Sequence, residues 1–179
     1  IIISVIAGIS TDFISKLLGH EAPVIRTMPN TSAIVALSCT GICAGKFATE
    51  EHLKWCRKRV ESIGLVIISE EEKIDLITGV AGSGRAYVYY LVASLSKGAI
   101  DVGLEPEEAR SMVLQTIIGA ATMLKETGED PAYLREKVTS PNGTTQAGLD
   151  TLRNYRFEEA IRACIQAATS RSEELGKEL

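Results

Sequence analysis

Leu65-Val66-Ile67-Ile68-Ser69-Glu70 is the point at which this sequence changes character. A run of apolar, mostly β-branched residues closed by a serine and a glutamate reads as a short buried strand. Upstream of it, strand and helix signals alternate. Downstream, no strand signal recurs. The chain is therefore expected to be α/β over residues 1–69, in the manner of the later half of a parallel sheet, and all-helical over residues 70–179.

Working back from Leu65, Gly64 closes a helix expected over residues 49–63, with Leu53, Cys56, Val60 and Ile63 on its apolar face. The small residues of 35–44 suggest a weakly patterned third strand. Val24-Ile25-Arg26-Thr27-Met28 suggests a second, ended by Pro29-Asn30. Residues 1–6, Ile-Ile-Ile-Ser-Val-Ile, read as the first strand. The turn Ala7-Gly8-Ile9-Ser10 follows, with Ser10 or Thr11 capping a helix that ends at Leu18-Gly19. So uniformly apolar a strand belongs to a parallel sheet covered on both faces. With neither Met nor a polar lead-in before it, further strands are expected to precede it in the complete protein.

Working forward, a short helix over 71–76 leads to Thr78-Gly79-Val80-Ala81-Gly82-Ser83-Gly84. The helix expected over 85–100 has almost no polar face, since Ala86, Tyr87, Val88, Tyr90, Leu91, Val92, Ala93, Leu95 and Ala99 surround its axis. A helix apolar all round must be enclosed, so a second copy of the chain is expected to supply part of the packing. Gly103 stops that helix. Glu105-Pro106-Glu107-Glu108 starts the next, which runs to about residue 126, and Asp130-Pro131 caps a two-turn helix reaching Val138. A last amphipathic helix spans 157–175.

Between these helices stands Ser140-Pro141-Asn142-Gly143-Thr144-Thr145. Pro141 disfavours helix at Ser140, Asn142-Gly143 suits a positive φ, and Thr144 is placed to cap the following helix. The first amides of that helix would have no internal partner, and the helix dipole adds to them. The turn thus reads as an anion cradle for a carboxylate or phosphate, with a plain structural joint as the alternative.

Composition narrows the functional classes. The formal net charge is −4, and no dense Lys/Arg run occurs, which argues against nucleic acid and a polybasic membrane anchor. No apolar run is long enough to span a bilayer as a helix. Cys39, Cys43, Cys56 and Cys164 lack Cys-x-x-Cys spacing and read as reduced thiols of a cytoplasmic protein without zinc. His20 and His52 read as exposed structural histidines. Asp12, Asp75 and Asp101 read as isolated carboxylates. Gly82-Ser83-Gly84 lacks the Lys-Ser/Thr of a phosphate loop and reads as glycines that allow close helix approach. No Ser, His and Asp stand in a nucleophilic order.

Three stretches together resemble the pyrroline-5-carboxylate reductase family in order and spacing. They are Val24-Ile25-Arg26-Thr27-Met28-Pro29-Asn30-Thr31, Ile77-Thr78-Gly79-Val80-Ala81-Gly82-Ser83-Gly84-Arg85-Ala86-Tyr87, and Ser140-Pro141-Asn142-Gly143-Thr144-Thr145-Gln146-Ala147-Gly148-Leu149. The resemblance implies a Rossmann-like NAD(P)-binding domain, its later half at 1–69, followed by an all-α dimerisation and substrate-binding domain at 70–179. It implies reduction of Δ1-pyrroline-5-carboxylate to L-proline by hydride from NADP(H) or NAD(H), the last step of proline synthesis. It further implies a cytoplasmic homodimer that assembles further, as far as a decamer of dimers. The family's phosphate turn would lie upstream of Ile1, so the 179-residue chain alone is expected to be inactive.

The resemblance also assigns roles. Gly143, Thr144 and Thr145, with the Ser140 side chain, would hold the substrate carboxylate, and the Thr145 hydroxyl would face the ring nitrogen as the catalytic group. Glu71 matches a position beside the substrate. Val5, Ile6 and Ala7 match nicotinamide-side contacts, with Asn30 close by, and Lys137 matches a position near both ligands where relatives carry an amide. Three departures stand out: Ser32 and Arg85 each replace a proline, and Asn142 replaces the first glycine of the turn. Ala36-Leu37-Ser38-Cys39-Thr40 is also less polar than the family's version. A related 6-phosphogluconate-dehydrogenase-like reductase acting on another small carboxylate substrate is the competing expectation, and a non-enzymatic helical dimerisation module is a third.

Overall fold

The computed structural model describes residues 1–177, and its contacts divide the chain into two compact units. One contains residues 1–85 together with those from Arg162 onward. The other contains residues 86–161.

The first unit is built on four strands, β1 (Ile2–Ser4), β2 (Val24–Met28), β3 (Ser38–Ala44) and β4 (Gly64–Ile68), hydrogen-bonded in that order. β1 runs parallel to β2 with Ile3 beside Ile25, and β3 runs parallel to β4 with Thr40 beside Val66. The pair in the middle departs from the expected parallel sheet, because β2 and β3 are antiparallel, with Arg26 opposite Cys43. Only residues 29–37 join them, fewer than a parallel crossover needs. That connection holds one 3₁₀ turn, Thr31–Val35, capped by the Asn30 side chain and ended by Ala36 at φ 56°. The strand foreseen from residue 35 therefore starts only at Ser38.

Between β1 and β2 lies helix α1 (Thr11–Leu18), and between β3 and β4 lies α2 (Glu50–Val60). The Ser10 hydroxyl accepts from Phe13 N–H at 3.1 Å, which starts α1, and Gly19 at φ 68° ends it. Thr49 and His52 form a reciprocal capping box on α2. α2 stops at Val60, short of the expected residue 63, because a single 3₁₀ turn, Glu61–Ile63, delivers the chain to Gly64. Gly64 has φ 143°, and a Cβ there would stand 2.1 Å from the Ser38 oxygen, so only glycine permits this close strand entry. The core forms where Ile25 and Ile42 of the sheet meet Cys56 of α2, all fully buried, with Leu53, Val60 and Val66 around them.

The rest of this unit consists of a 3₁₀ turn Glu71–Lys73, the short α3 (Ile74–Ile77), a π turn Thr78–Gly82, the head of α4 (Gly84–Asp101) and the later part of α8 (Phe157–Leu175). The predicted helix over 71–76 is thus divided between a 3₁₀ turn and the short α3, and a π turn follows it. Ser83 N–H bonds the Thr78 carbonyl at 2.8 Å, which widens the chain at Gly79 and Gly82. A Cβ on Gly79 would stand 2.2 Å from Thr169 Oγ1, so α8 lies directly against this turn.

The second unit is wholly helical: the body of α4, then α5 (Pro106–Thr127), α6 (Pro131–Lys137), α7 (Thr144–Asn154) and the start of α8. Asp130 caps α6 by accepting from Ala132 and Tyr133 N–H. Within this unit only Ala109 is buried, while Tyr90 is 78% and Met112 55% exposed. Among the described residues, the apolar circumference of α4 is therefore not enclosed. Among the described residues every strand lies in the first unit and no strand follows Ile68.

Candidate functional site

The Ser140–Gly143 segment closes as a tight turn. Pro141 supplies its fixed φ at the second position, Asn142 adopts φ 59° at the third, and Gly143 N–H donates to the Ser140 carbonyl at 3.0 Å, the pattern of a type II turn. Asn142 therefore carries the positive φ that the turn requires at its third position. Gly143 (φ −84°) is the residue before the helix, and Thr144, expected as the cap, is its first helical residue. The cause is the turn, which closes at Gly143 and so uses one residue fewer than the sequence pattern suggests. Gln146 reaches back so that its side-chain oxygen accepts from Asn142 N–H at 2.8 Å.

This arrangement narrows the cradle. The Gly143 amide is spent inside the turn and does not face outward. The N–H groups of Thr144 and Thr145 have no acceptor among the described residues, and neither do the Ser140, Thr144 and Thr145 hydroxyls. All three residues are exposed. Two free amides at the positive pole of an eleven-residue helix, flanked by hydroxyls, suit a small anion. Lys137, in the last turn of α6, lies with its ammonium 4.4 Å from the Tyr133 ring centre.

The remaining predicted residues lie in the first unit. Beyond Ser4, Val5 and Ile6 are 60% and 57% exposed, and the chain turns at Ala7-Gly8 with Gly8 at φ 75°. Glu71 is brought to the start of α1, where its carboxylate accepts from Thr11 N–H at 2.7 Å and Thr11 Oγ1 at 2.6 Å. It also lies 3.8 Å from Arg26 Nη1. Asn30 is engaged within the chain: its side-chain amide donates to the Ala81 carbonyl at 3.1 Å and to Cys39 at 3.4 Å, and its oxygen accepts from Ser32 N–H. It therefore ties the end of β2 to the π turn. Arg85 donates to Thr31 Oγ1 and to the Gly82 carbonyl, which fastens the start of α4 to the 3₁₀ turn.

Sequence reasoning missed the charged network beneath this surface. Arg26 is 3% exposed, and its Nη2 donates to Asp75 Oδ1 at 2.9 Å. The Ser172 hydroxyl donates to the same oxygen at 2.7 Å. Asp75 is thus not the isolated carboxylate it looks in the sequence. The available signal was Arg26 itself, because a cation in an otherwise uncharged, buried strand demands a carboxylate partner. Across the ladder from it, burial pushes the Cys43 thiol up to about 12, with the Glu71 charge adding and Arg26 opposing. Gly8, Ser10, Arg26, Glu71, Asp75 and Gly176 line a hollow of about 420 Å³.

A family model for pyrroline-5-carboxylate reductase dimerisation matches residues 71–175. The chain is 44% identical over 179 residues to pyrroline-5-carboxylate reductase 1 of Bacillus subtilis, covering 100% of this chain and 60% of that protein. It is 41% identical over 177 residues to the pyrroline-5-carboxylate reductase of Synechocystis, covering 99% of this chain and 66% of that one. Among solved structures, the pyrroline carboxylate reductase of Plasmodium falciparum with NADP bound superimposes with a TM-score of 0.92 at 29% identity, covering 97% of this chain and 66% of that chain. The Coxiella burnetii enzyme gives 0.90 at 34% identity, covering 97% and 64%. The chain thus spans about 60% of the length of its Bacillus relative.

Proposed function

Because the chain belongs to the pyrroline-5-carboxylate reductase family, we propose that the protein reduces Δ1-pyrroline-5-carboxylate to L-proline with NADPH or NADH. The observation that carries this reading is the pair of unpartnered N–H groups at Thr144 and Thr145, set beside three free hydroxyls at the head of α7. Residues 1–69 are the later half of the NAD(P)-binding domain in this reading, and residues 70–179 form the dimerisation and substrate-binding domain.

The residues at the end of β1 fit a nicotinamide. Val5 and Ile6 present exposed apolar surface beyond the carboxyl end of a parallel strand, which is where doubly wound sheets bind flat ligands. Val5, Ile6 and Ala7 would hold the ring by contact. Asn30 acts by fixing the backbone around it, since its amide is already committed to Ala81 and Cys39, and Lys137 lies near both ligands. When bound, the reduced nicotinamide supplies the hydride.

The chain's own part is positioning and electrostatics. Thr144 and Thr145 N–H grip the substrate carboxylate with help from the Ser140 hydroxyl, and Gly143 contributes by closing the turn that aims them. The Thr145 hydroxyl faces the ring nitrogen, where it orients the imine and holds or passes the proton that nitrogen carries. Glu71 sits on the substrate side and braces the start of α1.

The exposed apolar residues of α4 and α5, Tyr89, Tyr90, Leu95, Met112 and Ile118, support a homodimer in which a second copy covers them. Larger assembly, as far as the decamer of dimers, and a cytoplasmic location complete the proposal. No described helix is long and apolar enough to cross a membrane.

The test is nicotinamide oxidation by the full protein with pyrroline-5-carboxylate, run beside acyclic keto and imino acids. Turnover with the cyclic imine is expected. Turnover only with an acyclic carboxylate substrate would transfer the assignment to a 6-phosphogluconate-dehydrogenase-like reductase, because the cradle recognises a carboxylate and not a ring. Dimer mass by light scattering, without turnover of any of these compounds, would leave only a dimerisation module.

A further inference from the structure

Arg26 presents a problem in energetics. Its guanidinium is 3% exposed, it faces two carboxylates, and its Nε has no hydrogen-bond partner. A buried cation with an unmet donor is destabilising relative to an apolar side chain of the same volume. Stability alone does not account for an arginine in the middle of β2.

Its partners show what it does. One branch runs to Asp75 and on to Ser172 near the end of α8, at 2.9 and 2.7 Å. The other runs past Glu71 to Thr11, whose N–H and hydroxyl are both held by that carboxylate. The turn Ala7-Gly8 lies between the two ends. On one side the chain continues through Ser10 into Thr11. On the other, Gly8 packs so tightly on the end of α8 that a Cβ would stand 2.8 Å from Gly176 N, and a Cβ on Gly176 would stand 2.3 Å from the Gly8 oxygen.

We propose that Arg26 is a positioning residue. Through Asp75 and Ser172 it anchors the end of α8, through Glu71 and Thr11 it anchors the start of α1, and together these two anchors set the Val5-Ile6-Ala7 turn. The inference rests on the reading above, in which that turn meets the nicotinamide. Displacing the turn by a fraction of an ångström lengthens the hydride path without removing any group that touches a ligand.

The experiment uses the full protein and isosteric pairs. Ser172→Ala and Thr11→Val each delete one hydroxyl of the network, while Ser172→Thr and Thr11→Ser keep it. Arg26→Lys keeps the charge but loses the fork that reaches both carboxylates. Turnover is measured at saturating substrates with reduced nicotinamide carrying hydrogen or deuterium at the transferring position. The hydroxyl deletions are expected to lower kcat roughly tenfold, the equivalent of one charge-assisted hydrogen bond. The deuterium effect on kcat should stay at or rise above the wild-type value. The hydroxyl-retaining partners, and Lys16→Ala in the exposed Lys16–Asp12 pair of α1, should stay within about twofold of wild type.

Arg26→Lys is expected to lose more than either deletion. A lowered melting temperature with unchanged kcat and isotope effect would reduce the network to a structural one and overturn the inference. Equal loss in the hydroxyl-retaining variants, or a fall in kcat with a suppressed isotope effect, would overturn it as well. If wild type turns over an acyclic carboxylate instead of the cyclic imine, the substrate assignment fails and this test proceeds unchanged with that compound. A protein that oxidises no nicotinamide with any of them overturns both.

Discussion

Replacing Thr145 by alanine separates function from fold more cleanly than any other change in this chain. Thr145 is exposed in the first turn of α7, and its hydroxyl has no partner among the described residues. Removing it breaks no internal hydrogen bond. Alanine is the better helix former by up to about 0.7 kcal/mol, so stability should hold or rise by a few tenths. In the proposed reading the backbone N–H that grips the carboxylate survives, so KM for the imine should change little. Only the hydroxyl proposed to face the ring nitrogen is lost. Deleting one donor aimed at the reacting centre costs on the order of 100-fold in kcat, roughly 2.7 kcal/mol. The assay pairs steady-state nicotinamide oxidation with thermal unfolding of the same preparation, and Thr145→Ser should recover most of the loss. A kcat within about threefold of wild type, or a loss that tracks a falling melting temperature, would refute the role assigned to this hydroxyl.

Other expectations follow from single positions. Gly64→Ala should unfold the first unit or destabilise it by at least about 4 kcal/mol, because φ 143° and a 2.1 Å approach to the Ser38 oxygen leave no room for Cβ; chemical denaturation reads this directly. Asn142→Ala should be less stable than Asn142→Gly by about 1 kcal/mol, since alanine pays for φ 59° and glycine does not, and equal midpoints would discount the turn geometry. The Cys43 thiol, raised by burial from 9.0 to about 12, stays protonated in the native protein while the unfolded chain ionises. Its contribution is thus complete below pH 9 and is lost as pH rises toward 12, at no more than about 1.4 kcal/mol per pH unit. Cys43→Ala should flatten that alkaline decline, and near neutral pH native Cys43 should resist a thiol reagent that labels it readily after denaturation.

Most of what could be read in advance was local. The caps at Ser10 and Asp130, the glycine stop at residue 19, and the loss of strands after Ile68 all depend on residues within one or two turns of each other. The turn before α7 was legible for the same reason, since Pro141, Asn142 and the head of α7 are contiguous. Its detail was not, because whether Gly143 N–H turns inward depends on how the turn closes, and that moved the helix start by one residue.

By itself, then, the sequence determined the order of the strands and long helices, the caps at Ser10 and Asp130, and the place of the Ser140–Gly143 turn, because short-range sterics and hydrogen bonding decide those. Only the tertiary structure decided that β2 and β3 run antiparallel, that Asn30 spends its amide on Ala81, and that Arg26, Asp75 and Ser172 form one hydrogen-bonded chain. Asp75 and Ser172 are separated by 97 positions. A charge leaves no periodic mark showing which distant partner will neutralise it, and that choice is made when the sheet and α8 pack together and exclude water from Arg26.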